Sequence, residues 1–266
     1  MTSLIPQSAA SRLIPRGMQV SFDGNAQVIV PKRSGTPATL PWVGEGNPIP
    51  LQATALGSVT IGQPKKMGII TAFTRELAKR AMAQSVFETL LREDAAKSLD
   101  AAYFSDAEGT ADGHAGLLYD AESVSPSGDM KLDLANLARA VATGGSGEVV
   151  FVTGLGRAAT IPIIAPELSI PVWGSLAVDE DRVIGIDPGS LVHGFGAEPD
   201  IDASIESTLH MADDPAQAGV AGSPNVVAAS LRSMFQTDFV ALRAIVDIAF
   251  GARRTGAVAF VDVDGW

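Results

Sequence analysis

The chain has 266 residues, of which 46% are apolar; this is enough for a sizeable folded core and too apolar for a disordered chain. It has no cysteine, which excludes disulfides, thiolate nucleophiles and zinc ribbons. The net charge of -11 gives no bulk basic signal for gripping nucleic acid, and the apolar runs fall short of the roughly 18 residues of a membrane-spanning helix.

Residues 1–26 lack the continuous apolar core of a signal peptide. They hold two Ile-Pro pairs, Ile5-Pro6 and Ile14-Pro15. Proline pushes the residue before it towards extended conformations, so this segment reads as an extended N-terminal arm that docks on a neighbour. Residues 27–73 read as a long β excursion. Gln27–Pro31 and Ala38–Val43 are predicted as short strands around Ser34-Gly35, and Gly44, Gly46, Pro48 and Pro50 break the pattern. Val59–Ile61 and Met67–Phe73 resume β character. A long loop with so ordered a composition is rarely a mere connector, and an isolated ribbon is marginally stable, so it is expected to lean on another molecule.

Thr74 is positioned to cap a helix running to Tyr103 or Phe104, with Ala83, Phe87, Leu91, Ala95 and Leu99 as an apolar stripe. Such a helix of about 30 residues would be a rod of about 45 Å. A polar turn, Ser105–Gly116, follows. Asp129 is predicted to cap a second helix, Met130–Ala142, ending at Gly144-Gly145. Glu148–Thr153 reads as a buried strand, with shorter strands at Val172–Val178 and Arg182–Ile186. Ile201–Met211 alternates as a strand, and Ala212–Asn225 is a loop of small residues. Asp238–Phe250 alternates for a long stretch, and Thr255-Gly256 turns the chain into a last strand, Ala257–Val263.

Few residues suggest chemistry. Gly154, Gly156 and Ala159 fit G-x-G-x-x-A after a strand, the arrangement that brings backbone amides to a pyrophosphate. Against that reading, Pro162 interrupts the expected helix and no βαβ rhythm surrounds the motif. The histidines His114, His193 and His210 form no metal-binding spacing, and the acidic clusters Asp179-Glu180-Asp181, Asp213-Asp214 and Asp262/Asp264 do not form a calcium loop. No catalytic, cofactor or metal site is therefore expected. Lys65-Lys66 and Arg253-Arg254 are basic pairs that read either as solvated turns or as pairing between subunits.

Three segments together carry a family resemblance: Pro41-Trp42-Val43-Gly44-Glu45-Gly46 with Pro48 and Pro50; Val59–Leu77 (VTIGQPKKMGIITAFTREL); and Ser233–Trp266. In this order and spacing the chain, from about Val28 onward, resembles the major capsid proteins of tailed bacteriophages of the Hong Kong 97 type. The resemblance implies an α+β fold with an N-terminal arm (1–26), an extended β loop (27–73), a peripheral domain with a long spine helix (74–128 and 201–250) and an axial domain (129–200 and 251–266). It implies a structural protein and not an enzyme, with no cofactor. The chain would self-assemble as hexamers and pentamers in the bacterial host cytoplasm, and the virion capsid would enclose double-stranded DNA without sequence-specific binding or a membrane. Scaffold, portal and decoration proteins would be its partners. The assembly contacts expected on this basis are Trp42, Glu45, Lys65, Lys66, Arg75, Glu76, Arg253 and Arg254.

Two features depart from parts of that family. Only about 26 residues precede the loop, so a separate scaffold, a mature start or no scaffold is expected. The loop lysines Lys32, Lys65 and Lys66 have no placeable asparagine partner for an isopeptide bond, so noncovalent clasping is expected. An encapsulin-like nanocompartment shell is the alternative within shells, and a nucleotide-dependent enzyme built on Gly154-Leu155-Gly156 is the alternative from another class.

Overall fold

The computed structural model describes residues 8–22, 27–33, 41–49, 56–78, 83–195, 200–210, 231–263 and 266. The chain opens with a short helix, α1 (Ala9–Leu13), then a 3-10 turn (Ile14–Arg16) and strand β1 (Met18–Ser21). Ser8 caps α1 by accepting from the Ser11 N–H at 3.0 Å. The described part of the expected extended arm is therefore helical over residues 9–16 and extended only over β1, and it is docked. Ile14 takes helical angles (φ -49, ψ -51) despite the proline after it. Burial of Ala9, Ala10, Leu13 and Ile14 against the chain's own fold outweighs the pre-proline preference.

β2 (Gln27–Arg33) pairs antiparallel with β3 (Leu56–Gly62). The expected partner, Ala38–Val43, is not used: residues 41–43 form no strand, and 38–40 lie outside the described residues. The register explains the choice. It sets Val28 opposite Ile61 and Val30 opposite Val59, β-branched pairs on one face.

β4 (Lys65–Thr74) leads into α2 (Arg75–Ala78) and α3 (Ala83–Tyr103). The expected single helix from Thr74 is thus two described helices, and Thr74 closes a strand. α3, at 21 residues, is about 31 Å long. Of the expected apolar stripe, Leu99 is buried.

The next elements are β5 (Glu122–Ser123) and α4 (Met130–Ala142). α4 matches its expected bounds: Asp129 accepts from the Lys131 and Leu132 N–H groups at 2.9 and 3.1 Å, and Gly144 has φ +73 just past the end. Then come β6 (Val150–Thr153), α5 (Leu155–Ile164), β7 (Val172–Gly174), β8 (Arg182–Ile186) and β9 (Leu191–Phe195). α5 runs through Pro162 instead of stopping there. The chain continues with β10 (Asp200–Ser204), β11 (Thr208–His210), β12 (Leu231–Ser233), α6 (Met234–Thr237), β13 (Phe239–Ala252) and β14 (Val258–Asp262). The expected strand Ile201–Met211 is two strands, and the small-residue loop Ala212–Asn225 lies outside the described residues.

The chain divides into two compact units. Unit 1 takes described residues within 66–95 and 197–247; unit 2 takes those within 2–65, 96–196 and 248–266. Residues 96–128 fall in unit 2 with 129–196.

In unit 1, β10 lies antiparallel to Ala241–Ile245 of β13, β4 also pairs with β13, and β11 pairs antiparallel with β12. α6 ends at Asp238, whose left-handed backbone (φ 52) turns the chain into β13.

Unit 2 is built on a sheet ordered β5-β14-β8-β6-β7. Met130, Leu134, Leu137 and Val141 of α4 recur at helical spacing and meet Phe151, Val183, Ala259 and Val261 of this sheet, with Ile161 of α5 in the same core. β1 runs parallel to β9, which lies antiparallel to Ile248–Ala252 of β13. A second core joins Phe22, Val30, Ile61, Val192 and Ala249. Gly194 is needed there, because a Cβ on it would lie 2.0 Å from the Phe22 ring.

Candidate assembly surfaces

The β2–β3 ribbon has two unlike faces. Val30 and Ile61 are buried in the second core, with Val28 and Val59 packed beside them. Its base is therefore supported by its own chain, where the sequence leads one to expect support from another molecule. The other face presents Ile29 and Leu56, 62% and 68% exposed. Between the strands, residues 41–49 are all exposed. A turn closes with the Asn47 N–H on the Gly44 carbonyl at 3.1 Å, with Gly46 at φ +79, where a side chain would be strained. Glu45 is exposed within this turn. Trp42 and Ile49 are 102% and 83% exposed, so this segment offers large apolar side chains that its own subunit does not cover.

The basic candidates occupy different environments. Lys65 donates to the carbonyls of Thr110 and Gly113, and so ties the start of β4 to the loop 105–116. Lys66, next along the alternating strand, is exposed. Arg75 forms an ion pair with Asp238 at 3.4 Å, and its N–H donates to the Asp238 carbonyl at 2.8 Å; Glu76 is exposed. Arg253 is half-buried, with its N–H on the Ser190 carbonyl at 2.7 Å.

Arg254 works inside unit 2. Its guanidinium donates to the carbonyls of Val141 (2.7 Å) and Thr143 (2.9 Å) at the C-terminal end of α4, where a cation complements the helix dipole. It also pairs with buried Asp187 at 3.3 Å. Burial alone would raise the Asp187 carboxyl, but hydrogen bonds from Ser146, Ser190 and Arg254 hold it below its ordinary value.

The G-x-G turn is also committed internally. Glu180 places its two carboxylate oxygens on the Gly156 and Arg157 N–H groups, each at 2.8 Å. A carboxylate thus sits where a phosphate would have to bind. A Cβ at Gly154 would lie 2.6 Å from the Glu180 carboxyl carbon, so this glycine serves the close approach of a side chain. Arg157 then reaches Trp266: its guanidinium lies 4.7 Å over the indole and donates to the Trp266 carbonyl at 2.6 Å. Trp266 Nε1 donates to Asp133 at 2.8 Å. Burial opposes charge on Asp133, but the bonds from Ser127 and Trp266 hold its carboxyl below the usual range.

Sequence reasoning overlooked Asp100. This buried side chain accepts from Ser8 Oγ, from the N–H groups of Ala9 (3.1 Å) and Ala10 (3.0 Å), and from Ser175 Oγ (2.6 Å). Its polar position on α3 gave no hint of partners so distant in sequence. Among the described residues no group of three or more His, Asp or Glu side chains is arranged to hold a metal ion, and no helix is long and apolar enough to cross a membrane.

No protein-family model and no curated protein matches the sequence. Solved structures match its fold. A chain from Mycobacterium phage Bobi aligns with a TM-score of 0.66 at 16% identity, covering 96% of this chain and 90% of that one. One from Microbacterium phage Oxtober96 aligns with a TM-score of 0.66 at 14% identity, covering 97% and 91%. The capsid of an empty GTA particle computed with C5 symmetry aligns with a TM-score of 0.57 at 11% identity, covering 94% and 88%. With its β2–β3 ribbon, its helix α3 and its sheet-based unit 2, this chain has the Hong Kong 97-type capsid fold.

Proposed function

We propose that the chain is a major capsid protein, copies of which self-assemble into a closed icosahedral shell around double-stranded phage DNA. The observation that carries this reading is the whole-length likeness of fold, from 94% to 97% of this chain in the three matches above. The fivefold symmetry of the GTA capsid supports rings of five copies, and closed symmetry limits growth. Hexamers, a scaffold, a portal and decoration proteins complete the same reading, with assembly in the host cytoplasm.

The exposed segment 41–49 and the outward face of the ribbon are the parts we assign to a neighbouring subunit. Trp42 and Ile49 are uncovered in the isolated chain, and covering them on a neighbour removes apolar surface from water. Glu45, Lys66 and Glu76, all exposed, form the polar rim of such contacts; Lys65, Arg75, Arg253 and Arg254 shape the supporting surface from within their subunit. Many modest interfaces acting together make the container durable. The net charge of -11 suits a wall along which DNA packs without sticking.

Negative-stain microscopy of the expressed protein, alone and with any scaffold product encoded beside it, tests this. Closed shells carrying nuclease-protected DNA are expected from infected or induced cells. Shells filled with a protein cargo instead would make it a nanocompartment, and no shells in either preparation would overturn the reading. A variant lacking Gly44–Pro50 should fold and assemble poorly; normal shells from it would remove the loop's role. A map showing a basic inner face would remove the role assigned to the acidic charge.

A further inference from the structure

The buried group that shell assembly leaves unexplained is His193. It lies in the middle of β9, with Gln19 of β1 on one side and Phe250 of β13 on the other. The residue is completely buried. Its Nε2 lies 2.5 Å from the Tyr103 hydroxyl, and its Nδ1 has no hydrogen-bond partner among the described residues. Gly17, at the junction between the 3-10 turn and β1, presses on the ring: a Cβ there would stand 2.6 Å from Nδ1 and Cε1. The N-terminal segment is thus seated directly on an imidazole that has one polar contact among the described residues.

We propose that His193 is an acid-responsive latch, whose protonation releases the N-terminal segment 8–21 from the rest of unit 2. A neutral ring fits the site, with the Tyr103 hydroxyl as partner for Nε2. A protonated ring carries an N–H on both nitrogens, and the second has no acceptor among the described residues.

Among the described residues no facing group compensates the charge. From α3, Tyr103 is neutral, and Asp100, one turn earlier, already accepts four hydrogen bonds. From β13, Phe250 cannot ionise; His114 lies across it at 5.7 Å between ring centroids, with Lys65 acting on His114, and both are basic. Before Gly17 stands Arg16, another cation, bonded to Glu148 and stacked over Trp173. Burial accordingly holds His193 down at about 4. The easiest relief is through β1, which ends the strand order and, among the described strands, pairs with β9 alone.

Amide hydrogen exchange of the intact protein, corrected for intrinsic rates and followed from pH 7 to pH 4.5, tests the latch. Protection over residues 9–21 should fall by at least about tenfold, while α4 keeps its own. The H193Q variant, which can still meet the Tyr103 hydroxyl but cannot take a proton, should keep protection at both pH values. Parallel loss in H193Q and wild type would overturn the proposal; undiminished protection in the wild type would also overturn it. If H193Q does not fold, the His193 ring resonance of the wild type replaces it. That resonance must titrate over the same pH interval as the loss of protection, and a different interval overturns the latch.

Discussion

Glu180 caps α5 at Gly156: its Oε1 accepts from the Gly156 N–H at 2.8 Å, and its other oxygen takes the Arg157 N–H. These backbone bonds hold the Glu180 carboxyl below its ordinary value. A depressed carboxyl stabilises the fold above its unfolded value, and the contribution is lost as pH falls through the folded value. E180Q should therefore lose about 1 kcal/mol of stability at pH 7, the usual worth of an N-cap. The difference from wild type should vanish at acid pH. Chemical denaturation at pH 7 and pH 3 measures both. An E180Q variant as stable as wild type at pH 7 would remove the capping role.

Asp100 gathers Ser8, Ala9, Ala10 and Ser175 around one buried side chain. D100N puts an NH2 group among four donors, so at least one must go unsatisfied. A loss of about 3 kcal/mol is expected, together with increased exchange of residues 9–16 at every pH. Urea unfolding with hydrogen exchange reads both, and a loss below about 1 kcal/mol would mean that the donors find other acceptors.

Trp266 is held by Asp133 through its Nε1 and by Arg157 over its ring. W266F keeps the ring and loses the Asp133 bond, so it should cost about 1 kcal/mol. W266A also loses the packing and the cation–π contact and should cost about 2–3 kcal/mol. Equal losses in the two variants would show that the hydrogen bond, not the ring, does the holding.

Trp42 touches little of its own subunit and should matter only between subunits. W42A is expected to change unfolding stability by less than about 0.5 kcal/mol. The same substitution should sharply lower the yield of assembled particles in sedimentation. Full assembly by W42A would shift the contact to Ile49 or to the ribbon face.

Much of the local structure was legible in the residues. Asp129 with Gly144 delimits α4 because capping is a local interaction, and Thr255-Gly256 marks the turn before β14 for the same reason. The pairing of Gln27–Arg33 with Leu56–Gly62 was not legible, because strand partners are chosen by which face becomes buried across a long intervening loop. The docking of residues 8–16 was missed because the Ile-Pro pair signals extension locally, while Asp100 and the buried pocket for Leu13 act from far along the chain. Of the candidate assembly residues, Arg254 could not be told from a surface cation until its partners Val141 and Asp187 were in view.

The sequence by itself determined the order of the elements, the loop with its exposed Trp42, and the resemblance to a shell protein, since composition, caps and turns act over a few residues. Only the tertiary structure decided what the charged side chains do. It turned Glu180 from one member of an acidic cluster into a helix cap that fills a phosphate-like site, and it set His193 beneath Gly17. Burial and hydrogen-bond partners come from residues distant in the chain, and they set whether a charge is exposed, paired or excluded.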